Sequence, residues 1–317
     1  MARILITGAH GFIGKHLARL LAAQGHQVSG LGHGIWPQIE ASRWGVHDWL
    51  NGDVQAANLR TLQARSEPEL VFHLAGGSTV GAAIANPRED FFRTVASTVE
   101  LLDWLRLDLP DARLIAVSSA AVYGSGFSGQ IREEVVGEPY SPYGHHKRMM
   151  EQLCRSYGDT YGLDFRVARL FSVYGTELKK QLLWDMCTRL ASGDSPLVLG
   201  GTGQELRDWT YVSDVVAALA LIAFGSELPQ RGLTINIGTG VGTSVRDIAQ
   251  TVINAWHAHR CSTAKPLLYF SGKSRPGDPT SLVADPVRLA SMGFTWKTNL
   301  AEGVGKFVDW FCLNSAR

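Results

Sequence analysis

The chain of 317 residues carries 30 Lys and Arg against 29 Asp and Glu, a formal net charge of +1, and 45% of it is hydrophobic. That length buries a large core in two lobes or one enlarged domain, and so even a charge balance gives no electrostatic reason for a nucleic-acid or membrane partner. Cys154, Cys187, Cys261 and Cys312 fit neither a disulfide framework nor metal-ligand spacing, so reduced thiols in a cytoplasmic protein without a secretory signal are expected.

The apolar run Ile4 to Ile6 leads into Thr7-Gly8-Ala9-His10-Gly11-Phe12-Ile13-Gly14 and then Lys15 to Leu21. This is a strand, a glycine turn and a helix. Gly8, Gly11 and Gly14 let the chain turn sharply, bring backbone N–H groups to a pyrophosphate and pack the helix on the strand, with Phe12 and Ile13 opening the helix beside the dinucleotide. His26 to Leu31 is a second short strand, followed by a loop with Gly32, Gly34 and Pro37. Chains that bind NAD place an acidic residue there, roughly 20 residues beyond the glycines, for the ribose hydroxyls. Here Gly32 and His33 hold the place and the next carboxylate is Glu40. The missing repulsion favours NADP(H) over NAD(H), with His33 or Arg43 near a 2′-phosphate.

Asn51-Gly52-Asp53-Val54 closes a third strand region, and Asp53 and Val54 are candidate cofactor contacts. Glu69 to Gly77 is a buried strand entering a glycine turn, where Leu74, Ala75 and Gly76 would bring backbone against the cofactor. Thr79, just beyond, is a candidate substrate contact. Phe91 to Leu107 has helical spacing, Pro110-Asp111 ends it, and Leu114 to Val117 is the next strand. Alternating strand and helix imply a parallel sheet covered on both faces.

Ser118-Ser119 ends that strand, and Tyr140 to Lys147 leads into a helix running to about Tyr161. Phe165 to Leu170 is another buried strand. From Thr176 to Gln230 helices and loops are expected to dominate. Among them Val215 to Phe224, behind a capping Ser213-Asp214 pair, is a buried helix too short to span a bilayer. A strand at Leu233 to Ile237, a helical region from Ser244 to His257 and the segment Ser274 to Pro279 precede a last helical part. The histidines make no metal site: His145-His146 are adjacent and His257 and His259 two apart, so they are expected in solvent or loops.

Tyr143 and Lys147 stand one helical turn apart on one face, so both can reach one ligand. An ammonium beside a phenol favours the phenolate, which can exchange a proton with a carbinol, and Ser119 can hold the same oxygen.

Three segments together resemble the extended short-chain dehydrogenase/reductase family, in particular its sugar-nucleotide epimerases, dehydratases and ketoreductases. They are Thr7 to Gly14, the Ser-Ser-x-x-Val-Tyr-Gly segment Ser118 to Gly124, and Ser-Pro-Tyr-Gly-x-x-Lys at Ser141 to Lys147. The resemblance implies a catalytic triad of Ser119, Tyr143 and Lys147, with Lys147 also on the nicotinamide ribose. Ala168 to Gly175 is similar to the family's Arg-x-Phe-Asn-Val-Tyr-Gly, with Ser172 where the family's Asn contacts the nucleotide-sugar. Arg207, in Arg207-Asp208-Trp209, and Arg275, in Arg275-Pro276-Gly277-Asp278, correspond to arginines that grip the diphosphate.

The implied fold is α/β, a doubly wound parallel sheet with a smaller C-terminal substrate lobe. Residues 1–175, with 211–240 returning, would bind the dinucleotide, and 176–210 with 241–317 would bind the nucleotide-sugar in the cleft. A homodimer through Phe91 to Leu107 and Met149 to Tyr161 is implied as well. The expected reaction is NADPH-dependent reduction of an NDP-4-keto-6-deoxyhexose; NAD-dependent 4-epimerisation of an NDP-hexose is the alternative. Ala120 and Ala121 stand where the family's dehydratases carry acids. Decarboxylation of a uronic-acid nucleotide and a non-catalytic nucleotide-sensing role also stay open.

Overall fold

Seven mostly apolar runs form one sheet, ordered in space as Val46–Asn51, Gln27–Gly32, Arg3–Thr7, Leu70–His73, Arg113–Ser119, Phe165–Leu170 and Leu233–Ile237. The pairings from the first of these through Phe165–Leu170 are all parallel. The computed structural model describes residues 1–225, 232–260, 266–273 and 278–315. Cys261 and Arg275 lie outside the described residues.

The strand order turns back between Arg3–Thr7 and Leu70–His73, so the loops at their C-terminal ends diverge to opposite sides and leave room for a ligand. The sheet belongs to a first unit, Met1–Gly124 with Glu133–Leu170 and Val216–Asn236. Its core runs through Leu5, Val71, Leu101, Trp104, Leu105, Leu114, Met150 and Phe165. Around Phe92 to Ala96 the expected Phe91 to Leu107 helix loosens into a π turn and then continues as Ser97–Asp108.

The second unit comprises Ser125–Arg132, Phe171–Val215 and Ile237–Arg317. Its central strand, Leu206–Tyr211, runs parallel to Ser281–Ala284 and Ser172–Tyr174 and antiparallel to Gly242–Ser244. Among the described residues helices and loops do dominate from Thr176 onward, and helices end the chain as expected, but strands that the sequence reading did not name lie at Leu197–Leu199, Ser281–Ala284 and Leu206–Tyr211. The polar look of Arg207-Asp208 concealed the strand: the buried Asp208 carboxylate accepts the backbone N–H groups of Thr239, Gly240 and Ala284 and the Thr239 hydroxyl, at 2.7 to 3.2 Å. Ser213-Asp214 is likewise not a cap. Both residues lie inside the helix Val212–Phe224, and Asp214 accepts the N–H groups of Lys297 and Thr298. Among the described residues no helix is long and apolar enough to cross a membrane.

Candidate active site

Gly8 adopts φ +75° and donates its N–H to the Leu31 carbonyl at 2.7 Å. A Cβ there would come within 2.9 Å of the Ala75 nitrogen, and one on Gly14 would overlap the Gly8 carbonyl oxygen. Both positions therefore need glycine for close backbone approach. Gly11 starts the helix Phe12–Ala23 with no side chain to cap it and no acidic residue in the first turn. The N–H groups of that turn are thus offered to an anion, with the positive end of the helix dipole behind them. This cradle fits a dinucleotide pyrophosphate. Phe12 and Ile13 at its mouth are half-buried, as are Leu74, Ala75 and Gly76.

A second group of residues gathers at the ends of the strands Leu70–His73 and Arg113–Ser119. Ser141 caps the helix Pro142–Tyr161 by accepting the Gly144 N–H at 3.2 Å, Pro142 fills the first turn, and Gly162 closes the helix with φ +78°. The stripe Lys147, Met150, Cys154 and Gly158 is buried. It fixes the rotation of the helix, so Tyr143 and Lys147 share a face. Ser119 starts a short turn, accepts the Ala121 N–H at 3.2 Å and is hydrogen-bonded to the Tyr143 phenol. Lys147 Nζ donates to the Val117 carbonyl at 2.9 Å and lies against Gly76, whose added Cβ would sit 3.3 Å away. Ser119, Tyr143 and Lys147 are thus brought together beside the glycine turn.

Burial pushes the Lys147 ammonium down to about 8, against the nearby Asp90 and Glu151 charges that favour it. Burial raises the Tyr143 phenol, the Ser119 hydrogen bond lowers it, and Asp90 raises it further. Beneath them, His73 is fully buried between Thr7, at 2.8 Å, and Thr98, at 3.1 Å. Because Thr98 donates to the Thr94 carbonyl, it is free to accept from the imidazole Nε2–H, while Thr7 donates to Nδ1. Burial, helped by Lys147, holds this imidazole neutral, with its pKa lowered to about 3.

The remaining predicted residues have their own local surroundings. Thr79 caps the helix Val80–Ala85, accepting the Ala82 N–H at 3.2 Å. In the second unit Ser172 lies on the strand beside Trp209, and Arg207 lines a cavity of about 400 Å³ with Gly201, Thr202, Glu205 and Asp278. Val54 is buried near the end of the third strand.

Sequence reasoning missed His146, expected in solvent or a loop. It is buried on the Tyr143 helix, 2.5 Å from Asp90. Its partner stands 56 residues earlier, so no local pattern pairs them. On their helix, His259 contacts Asp309 at 2.9 Å, and among the described residues no cluster has the makings of a metal site.

His33 also needs revision. Its Nε2 lies 2.9 Å from Asp53 Oδ1, so the ring is engaged by a carboxylate rather than left for a phosphate. That carboxylate lies just beyond the next strand, Val46–Asn51, and a phosphate brought to His33 would meet its charge.

The model of the NAD dependent epimerase/dehydratase family matches residues 4–238. The chain is 30% identical to the UDP-glucose 4-epimerase of Mycolicibacterium smegmatis, over 98% of each chain. Among solved structures it is similar to the Thermus thermophilus UDP-glucose 4-epimerase complex with NAD, with TM-score 0.83 and 28% identity over 98% of this chain and 99% of that one. It is also similar to the UDP-glucuronic acid 4-epimerase of Bacillus cereus in complex with UDP-glucuronic acid and NAD, with TM-score 0.85 and 25% identity over the same shares. NAD in these relatives overturns the expected preference for NADP(H), in line with the carboxylate at His33. The chain belongs to the NAD-dependent epimerase/dehydratase family, enzymes of the extended short-chain dehydrogenase/reductase type.

Proposed function

We propose that this protein is an NAD-dependent 4-epimerase of a UDP-linked hexose. The observation that carries it is the trio of Ser119, Tyr143 and Lys147 beside the Gly76 turn, in a chain whose relatives include UDP-glucose and UDP-glucuronic acid 4-epimerases. Tyr143 takes the proton of the C4 hydroxyl and later returns one to the C4 oxygen. Ser119 holds that oxygen and orients it toward the phenol. Lys147 supplies the positive charge that favours the phenolate, which burial and Asp90 otherwise oppose. Bound NAD would supply the hydride acceptor and donor for C4 and, in its oxidised form, further positive charge near the phenol. Gly8, Gly11, Phe12, Ile13 and Gly14 would hold its pyrophosphate, His33, Asp53 and Val54 its adenosine end, and Leu74, Ala75 and Gly76 would line its path.

Arg207 would hold the substrate diphosphate, and Ser172 and Thr79 are proposed as further substrate contacts. Dehydration calls for an acid after Ser119, where Ala120 and Ala121 are both buried. We also infer a homodimer through the helices bearing Phe92, Leu107, Met149 and Tyr161, each 41 to 59% exposed. The reaction test is mass spectrometry with chromatography of UDP-glucose and UDP-glucuronic acid incubated with the purified protein and NAD. A new isomer of unchanged mass is expected. A gain of two hydrogens on adding NADPH to a 4-keto sugar, with no isomerisation, would overturn it.

A further inference from the structure

The helix that carries Tyr143 and Lys147 holds a further pair that their proton chemistry does not use. His146 Nδ1 lies 2.5 Å from Asp90 Oδ2, with side-chain exposures of 11% and 5%. The Phe91 ring packs edge-on against the imidazole at 5.5 Å. Asp90 comes from the short helix Pro87–Phe91, which Asn86 caps. The other Asp90 oxygen lies so close to Gly77 that any side chain there would overlap it. Gly77 donates its N–H to Thr94 at 2.8 Å. The Gly76–Gly77 turn therefore touches Lys147 with one residue and Asp90 with the other.

Other charged groups on the elements around this helix have partners of their own, Glu151 also favouring the Lys147 ammonium. Glu89 pairs with Arg93, Glu151 with Arg169, Asp103 with Arg106, Asp108 with Arg60 and Asp164 with Arg113. Arg88 lies over the Phe92 ring, exposed Glu100 accepts the Ala56 N–H, and buried Arg166 donates to the Ile222 carbonyl. Tyr157 donates to Asp103, and His73 is held neutral between its threonines. Tyr140 and Cys154, from the same stretch of chain, face Tyr143 and Lys147 respectively. Asp90 differs in its partner, the imidazole of His146, which shares its helix with Tyr143 and Lys147.

We propose that Asp90 and His146 are a positioning pair for the Tyr143–Lys147 site, clamping the Gly76–Gly77 turn to the helix and setting the charge under which both groups exchange protons. It rests on the proton-transfer role proposed above. A negative charge favours the protonated form of any group near it, and Asp90 acts in that direction on both Tyr143 and Lys147.

The test is the pH dependence of kcat for UDP-hexose epimerisation, together with tyrosinate absorbance of the purified protein taken as the difference from Tyr143→Phe. Asp90→Asn keeps the shape and a polar contact to His146 but removes the charge. Both limbs of the profile and the tyrosinate transition are expected to move to lower pH, by about half to one unit. His146→Gln keeps both the Asp90 charge and a polar partner for it, so both limbs are expected to stay at their wild-type pH. A lower kcat for Asp90→Asn with neither limb moved would reduce the pair to a structural contact and overturn the proposal. Should Asp90→Asn not fold, Asp90→Ser is read in its place, and unmoved limbs there overturn it. Tyr143→Phe separates the two levels: activity within a few fold of wild type sinks the proton-transfer role itself, whereas an inactive Tyr143→Phe with unmoved limbs in the Asp90 variants sinks only the Asp90–His146 pair.

Discussion

The two ends of the proposed dinucleotide site are built differently. At the proton-transfer end Lys147 and His73 are 4% and 0% exposed, and Tyr143 is tied to Ser119. At the adenosine end His33 and Asp53 meet at 2.9 Å with side chains 64% and 65% exposed. Water and salt weaken charge interactions at the exposed end, while burial strengthens them at the other. A single substitution should therefore be severe at one end and mild at the other.

The largest expected effect is at Tyr143. Tyr143→Phe keeps the ring and removes the proton, so kcat should fall by about 10²- to 10⁴-fold with little change in substrate binding, measured by steady-state kinetics and calorimetry. Gly14→Ala comes next. Its Cβ would overlap the Gly8 carbonyl, so NAD affinity should drop at least tenfold and stability by about 1 to 3 kcal/mol, read by calorimetry and denaturant unfolding.

His73 gives a pH-dependent effect of intermediate size. Its folded-state pKa is about 3 against an ordinary 6.5, so the unfolded chain binds a proton that the folded chain refuses between those values. Stability from this group is complete above about pH 6.5 and is lost as the pH falls toward 3, at up to roughly 1.4 kcal/mol per unit. Urea unfolding from pH 7 to 5 should show this slope, and His73→Asn should flatten it.

The smallest effect is expected at the exposed end. His33→Ala should change NAD affinity only a few fold, by under about 1 kcal/mol, and the change should shrink further in high salt. A loss at His33 as large as that for Gly14→Ala would break the contrast between the two ends.

The same contrast explains what could be read from the amino acids alone. Phe165–Leu170 and Leu233–Ile237 are strands read from local pattern, and their limits match the structure. Ser119, Tyr143 and Lys147 are also local signals, a strand end and a helix face. Partners distant along the chain escaped. Asp53 stands 20 residues after His33, and Asp90 stands 56 before His146. A histidine opposite a distant carboxylate looks, in sequence, like any surface histidine. Leu206–Tyr211 failed for a related reason: Asp208 breaks the apolar pattern, and its burial makes sense only once Thr239, Gly240 and Ala284 fold onto it.

The most direct measurement is a time course of UDP-glucose with wild type and Tyr143→Phe, with the C4 configuration of the products read by NMR. Wild type should approach an equilibrium mixture of the two C4 epimers with no net reduction, and Tyr143→Phe should do so at least a hundredfold more slowly. A Tyr143→Phe protein that interconverts the epimers at nearly the wild-type rate would contradict the account.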